Sequence, residues 1–210
     1  MKTMSVPTKP YDEERIYLRK NVIFYPGVTI LVGCNGSGKS TLMMLLKDQL
    51  KQDKDILVLS YDDRMDGQSN LMSKFAFYQD FEAFGGMWSS SEGEKIFRGV
   101  SDFATGLHKK IHQKDYQEVW IFMDAVGSGL SVDGIAEIKD FAQFVIDQNF
   151  GMGIYFVIST NEYEFASGMD CIDVTTFRHV RFDSYQKYRK FILQTRKKKD
   201  RRRAKLRERA

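Results

Sequence analysis

The chain has 210 residues, 42% of them hydrophobic and 29% charged, a composition that can bury a core without disulfides or a structural metal and that excludes disorder throughout. The net charge of +4 averages two unlike parts: residues 196–210 hold ten basic and two acidic residues, or +8, leaving −4 on the rest. Residues 1–15 contain no apolar signal-type run, and the longest apolar runs, such as 119–123, fall far short of the roughly 20 residues that span a bilayer, so no membrane association is expected. The only cysteines are Cys34, inside a glycine-rich stretch, and Cys171; with no evident disulfide role they point to a reducing, cytoplasmic setting. No internal repeat and no sustained heptad pattern occurs.

In chain order, residues 16–25 suggest an antiparallel edge strand closed by a turn at Pro26 and Gly27. Apolar, β-branched segments follow at 28–32, 56–60, 119–123 and 154–159, separated by stretches with helical spacing. Near-continuous apolar strands suit a sheet covered on both faces, which makes the expected fold α/β, with a mainly parallel sheet flanked by helices. Met43 and Met44, on the helix after the glycine-rich stretch, read as packing residues. His108 and His112 stand at i, i+4 but lack a third ligand and read as a solvated basic helix face. His179 belongs to a late strand or hairpin. Beyond Tyr185 no strand signal remains; Tyr185, Tyr188 and Ile192 share one helical face before the charge run begins. The division expected is a domain over 1–184 and a basic helical or partly disordered tail over 185–210.

The most specific feature is the run Gly33, Cys34, Asn35, Gly36, Ser37, Gly38, Lys39, Ser40, Thr41, which fits G-x-x-x-x-G-K-[ST] and lies between a strand and a helix. Glycines let successive backbone N–H groups turn inward around a phosphate, and the helix N-terminus adds partial positive charge. Lys39 would neutralise the β- and γ-phosphates and the Ser40 hydroxyl would hold Mg²⁺. A carboxylate is needed on the other side of the metal, and Asp124, closing the apolar strand at 119–123, supplies one.

These residues, with the strand before them, resemble the ATP-binding-cassette ATPases, and within them the soluble DNA-repair and chromosome-maintenance branch. Ser91, Gly93 and Glu94 match that family's signature L-S-G-G-Q/E, although a serine followed by glutamate also opens helices as an N-cap. The resemblance implies ATP and Mg²⁺ as ligands and an ATP-dependent head-to-tail homodimer in which Ser91 and the Gly93 backbone of one subunit meet the γ-phosphate held by the other. It also implies an adenine-stacking aromatic upstream of the loop, for which Tyr11 and Tyr17 compete, and a metal-proximal glutamine, for which Gln68 is the match. Three departures stand out. Ala125 replaces the glutamate that orients the attacking water, Ser131 replaces the aspartate of the following loop, and Asn161 stands where a histidine is usual. Asn161 could sense the γ-phosphate through its amide, and Glu162 or Asp133 could supply a displaced carboxylate. Loss of a positioned base typically lowers a rate by ~10²–10⁴, so binding of Mg·ATP with slow or conditional hydrolysis is expected.

From Lys39 to Ser91 is only 52 positions, too few for a transporter's helical subdomain or a long coiled-coil insertion. Two readings follow: a nucleotide-gated, DNA-associated ATPase in a repair, mobile-element or defence setting, or a nucleotide-dependent switch that recruits a protein. Phosphoryl transfer to a small molecule would leave the signature-like segment unexplained. The tail at 196–210 is either a solvated or frayed terminus or a sequence-independent binder of nucleic-acid phosphates, acidic proteins being a further class of partner.

Overall fold

The computed structural model describes residues 1–11, 15–62, 106–107, 109–126 and 130–207. Two short strands, β1 (Lys2–Ser5) and β2 (Asn21–Phe24), pair antiparallel as a ribbon of their own. The main sheet is built from β3 (Gly27–Val32), β4 (Ile56–Asp62), β5 (Glu118–Asp124), β6 (Gly153–Ser159), β7 (Asp170–Asp173) and β8 (Arg178–Val180). Their spatial order is β4-β5-β6-β3-β7-β8; every pairing is parallel except β7 with β8. The helices are α1 (Lys39–Leu50), α2 (Val132–Gln148), the single turn α3 (Tyr163–Ala166) and the long α4 (Tyr185–Arg207). No helix among the described residues is long and apolar enough to cross a membrane.

The interiors of β3, β4, β5 and β6 are mostly apolar because both faces are covered, and the period of two sorts their side chains into two cores. Ile30, Ile121, Phe156 and Ile158 join Ile135, Ile138 and Phe141 of α2 on one face. On the other, Leu31, Trp120, Phe122, Tyr155 and Val157 meet Leu42, Met43 and Leu46 of α1. Met43 packs as its sequence position suggested, whereas Met44, one step round the helix, is 41% exposed. His179 lies in β8, its Nδ1 2.7 Å from Asp170 Oδ2 on β7. Both cysteines are buried and free, and burial pushes the Cys171 thiol up to about 12, which leaves it inert at neutral pH.

The N-terminal segment corrects the sequence reading. Only residues 21–24 of the expected edge strand are extended in a ladder, and their partner is the polar stretch at 2–5 rather than the main sheet. The antiparallel edge of the main sheet is instead β8, at the opposite end of the chain. The ribbon closes the α1 face: Phe24 meets Trp120 edge-on at 5.3 Å, and Glu118 Oε2 accepts from both Lys2 Nζ at 2.6 Å and Trp120 Nε1 at 3.0 Å. Trp120 also stacks on Tyr155 with ring centroids 4.2 Å apart.

Trp120 is therefore the keystone of this face, fully buried between the ribbon and the sheet. Trp120→Ala is expected to lower unfolding free energy by about 3–5 kcal/mol in urea titrations, against less than about 0.5 kcal/mol for Phe150→Ala, since Phe150 is 100% exposed.

Candidate functional site

Because β6 lies between β3 and β5, the carboxyl edge of the sheet presents three chain segments side by side: the loop after β3, the segment after β6, and Asp124 at the end of β5. Open parallel sheets bind ligands at this edge. A cavity of about 580 Å³ opens there, and its lining includes Gly36, Ser37, Lys39, Ser40, Asp124 and Asn161. Asn35, Gly38, Thr41, Ala125, Thr160 and Glu162 complete the rim. A neighbouring cavity of about 560 Å³ shares Asn35, Asn161 and Glu162 and runs beneath α4 along Tyr163, Tyr185 and Lys199.

The loop is set by its last glycine. Gly38 caps α1 at φ +99°, and a Cβ placed there would lie 2.6 Å from Ile16 Cγ2. Glycine is thus required twice, by the left-handed backbone and by the closeness of the 16–17 segment. The Tyr17 hydroxyl donates to the Gly38 carbonyl at 2.9 Å, and its ring packs on Phe177 at 5.1 Å. This corrects one expectation: Tyr17 is fully buried and offers no face to a base; it braces the loop from behind. Tyr11 is 58% exposed and does not line the cavity.

Lys39 opens α1 half-buried, and its ammonium donates to the Gly33 carbonyl at 2.8 Å and to Asn161 Oδ1 at 2.9 Å. Asn161 Nδ2 in turn donates to Asn35 Oδ1 at 2.8 Å, which ties the end of β6 to the loop. Burial holds the Lys39 ammonium below the usual lysine range; the charges of Cys34 and Asp124 oppose this and that of Lys199 adds to it. A cation drawn from water onto neutral acceptors gains most from an anion entering the cradle, so the donor set fits a phosphate. Ser37 Oγ, buried in the same loop, has no hydrogen-bond partner within the protein.

Asp124 is buried at 9% exposure on one wall and Ser40 stands in the first turn of α1, both lining the cavity. No group of three or more His, Cys, Asp or Glu among the described residues could hold a metal by itself. Ala125 lines the cavity at φ +58° and contributes no carboxylate. Glu162 does line it, whereas Asp133 lies exposed in the first turn of α2, its carboxyl held below the ordinary range by the Ser131 hydroxyl, and is not part of the lining. Ser91, Gly93, Glu94, Gln68 and His108 lie outside the described residues.

Sequence reasoning missed the part played by α4. Tyr188, 4% exposed, donates its hydroxyl to the Asn161 carbonyl at 2.8 Å, and Lys199 Nζ donates to the Asn35 carbonyl at 2.6 Å. The spacing 188, 195, 199, 202 marks one helical face, a signal hidden because two of its four members sit in a run of like charges. No protein-family model and no curated protein matches this chain.

Gly38→Ala is expected to cost more stability than Gly151→Ala. Both glycines have positive φ, +99° and +96°, but only Gly38 has neighbours within 4 Å of the added methyl. Chemical denaturation should show about 1 kcal/mol for the strain at Gly151 and about 1–3 kcal/mol more at Gly38.

Proposed function

We propose that this chain is a Mg·ATP-binding ATPase of the ATP-binding-cassette type, with slow or conditional hydrolysis and nucleotide-gated dimerisation. One observation carries the reading: Lys39, Asn161, Ser40 and Asp124, from three separate segments, converge on a single cavity at the carboxyl edge of the parallel sheet. The loop backbone and Lys39 would receive the phosphates, and Ser40 with Asp124 would hold Mg²⁺, which neutralises phosphate charge. Asn161 would donate to the terminal phosphate through Nδ2, exchanging its present bond to Asn35 Oδ1. Ser91, Gly93 and Glu94 of a second subunit would complete the site, as the family resemblance implies.

Hydrolysis needs a group that orients water. With Ala125 at the position after Asp124, Glu162 is, among the described residues, the other carboxylate on the cavity wall besides Asp124. This favours slow turnover and gives weight to a second reading, a nucleotide-dependent switch that recruits a protein partner with hydrolysis incidental. Association with DNA draws support from the outer face of α4, where Arg196, Lys197, Lys198, Arg201 and Arg203 are exposed. Five exposed cations spread around the solvent side of one helix suit phosphate backbones without sequence preference.

Calorimetric titration tests the ligand assignment. Lys39→Met is expected to weaken Mg·ATP binding at least about 100-fold, and Asp124→Asn to weaken it about 10-fold in Mg²⁺ while changing little in EDTA. An Asp124→Asn protein that binds Mg·ATP as tightly as the parent would overturn the metal assignment.

A further inference from the structure

The C-terminal helix does not merely lie beside the nucleotide cavity. Its cationic run is divided by helical geometry: Arg196, Lys197, Lys198, Arg201 and Arg203 are exposed, whereas Lys199 and Arg202, three positions apart, turn toward the body and are half-buried. Arg202 docks the helix by donating to the Ile16 carbonyl at 3.3 Å and the Arg15 carbonyl at 3.4 Å. Lys199 reaches the loop itself. Its Nζ donates to the Asn35 carbonyl at 2.6 Å and lies 3.6 Å from where a Cβ on Gly36 would stand.

Four residues from three distant parts of the chain then form one hydrogen-bonded series: Lys199 to Asn35, Asn35 to Asn161, Asn161 to Lys39. An ammonium at each end converges on one glycine-rich loop, and the acceptors that hold them are uncharged. Two like charges brought this close gain strongly from a polyanion between them. Nothing in packing alone explains the pairing. The apolar seam of α4 is complete without it, since Tyr188 packs edge-on to Phe182 at 5.2 Å and Phe191 packs on the same ring.

Position along the loop selects which part of the anion Lys199 meets. Ser40 and Thr41 lie at the α1 end, whereas Lys199 joins the loop at Asn35, whose side chain is bonded to Asn161, the residue placed for the terminal phosphate. We propose that Lys199 is a residue of the nucleotide site, a second cation supplied in cis by the C-terminal helix to the terminal phosphate of a nucleoside triphosphate. The helix would thereby be held more firmly when triphosphate, rather than diphosphate, occupies the loop. This inference rests on reading the loop as a nucleotide site.

The test is calorimetric titration of the full chain with Mg·ATP and with Mg·ADP, comparing the parent with Lys199→Met, Lys199→Arg and Arg202→Met. Lys199→Met is expected to weaken Mg·ATP about 10- to 100-fold and leave Mg·ADP unchanged, with Lys199→Arg restoring most of the loss. Arg202→Met removes a docking contact one turn further on and should leave the ratio of the two affinities as in the parent. Equal weakening of both nucleotides by Lys199→Met, no weakening of either, or a selective loss copied by Arg202→Met would reduce Lys199 to a docking residue and overturn the proposal. Hydrogen exchange of the parent gives an independent check: residues 185–203 should exchange more slowly with Mg·ATP than with Mg·ADP, and equal protection counts against it. A parent that binds neither nucleotide would instead overturn the nucleotide reading itself.

Discussion

Lys39 is a cation held half out of water at the first turn of α1, fastened to a backbone carbonyl on one side and a side-chain amide on the other. Much of the architecture can be understood as what keeps it there. The left-handed Gly38 turns the chain into the helix at that point, and Tyr17 and Ile16 press on that glycine from behind. The insertion of β6 between β3 and β5 brings Asn161 into reach, and Asp124 supplies a compensating charge from the next strand along. An ammonium desolvated to this degree and bonded only to neutral acceptors is poised for an anion, since the electrostatic gain is largest where water has already been removed.

The sheet was legible in the sequence because its central strands are buried on both faces and therefore mostly apolar. Residues 28–32, 56–60, 119–123 and 154–159 fall inside β3, β4, β5 and β6, each strand extending by a residue or two at its ends. The failures are physical as well. Strand β1 reads KTMS, and β7, four residues long, has an acidic residue at each end; neither carries a run long enough to announce a strand. The site was legible to the extent that it is local. Gly33 to Thr41 follow one another and their spacing marks a candidate phosphate loop, and Asn161 was reached through the family resemblance, whereas Tyr188 and Lys199 reach the loop only through topology and helix phase.

The charge division of the sequence takes a different form in three dimensions. The basic run is one helix whose body-facing cations are held by backbone carbonyls, Lys199 at the loop and Arg202 at residues 15–16, while Arg196, Lys197, Lys198, Arg201 and Arg203 are exposed. Two functions considered as alternatives for the same segment, a passive helix and an anion-binding arm, can then be assigned to different residues of it. Helical phase makes that separation possible: residues three or four apart share a face, and those one or two apart do not.

On the proposed reading, slow turnover would follow from the position after Asp124, where Ala125 supplies no carboxylate. Ala125 holds φ +58°, a left-handed conformation that costs a residue with a Cβ roughly 1–2 kcal/mol. A larger side chain at this position would meet the same strain, so the turn after Asp124 and the missing carboxylate belong to one local arrangement. On that reading binding would depend on the loop, Lys39 and Asp124, and water activation on a group the chain places elsewhere or borrows. Glu162 meets that requirement geometrically only in part: its backbone N–H donates to Thr160 Oγ1 at 3.0 Å, which fixes the main chain while leaving the carboxylate exposed at the mouth shared by the two cavities. A carboxylate exposed in this way would, on the proposed reading, orient water effectively only once something closed over it. On the proposed reading, nucleotide would bind to the loop of one subunit, while hydrolysis would await closure by a second.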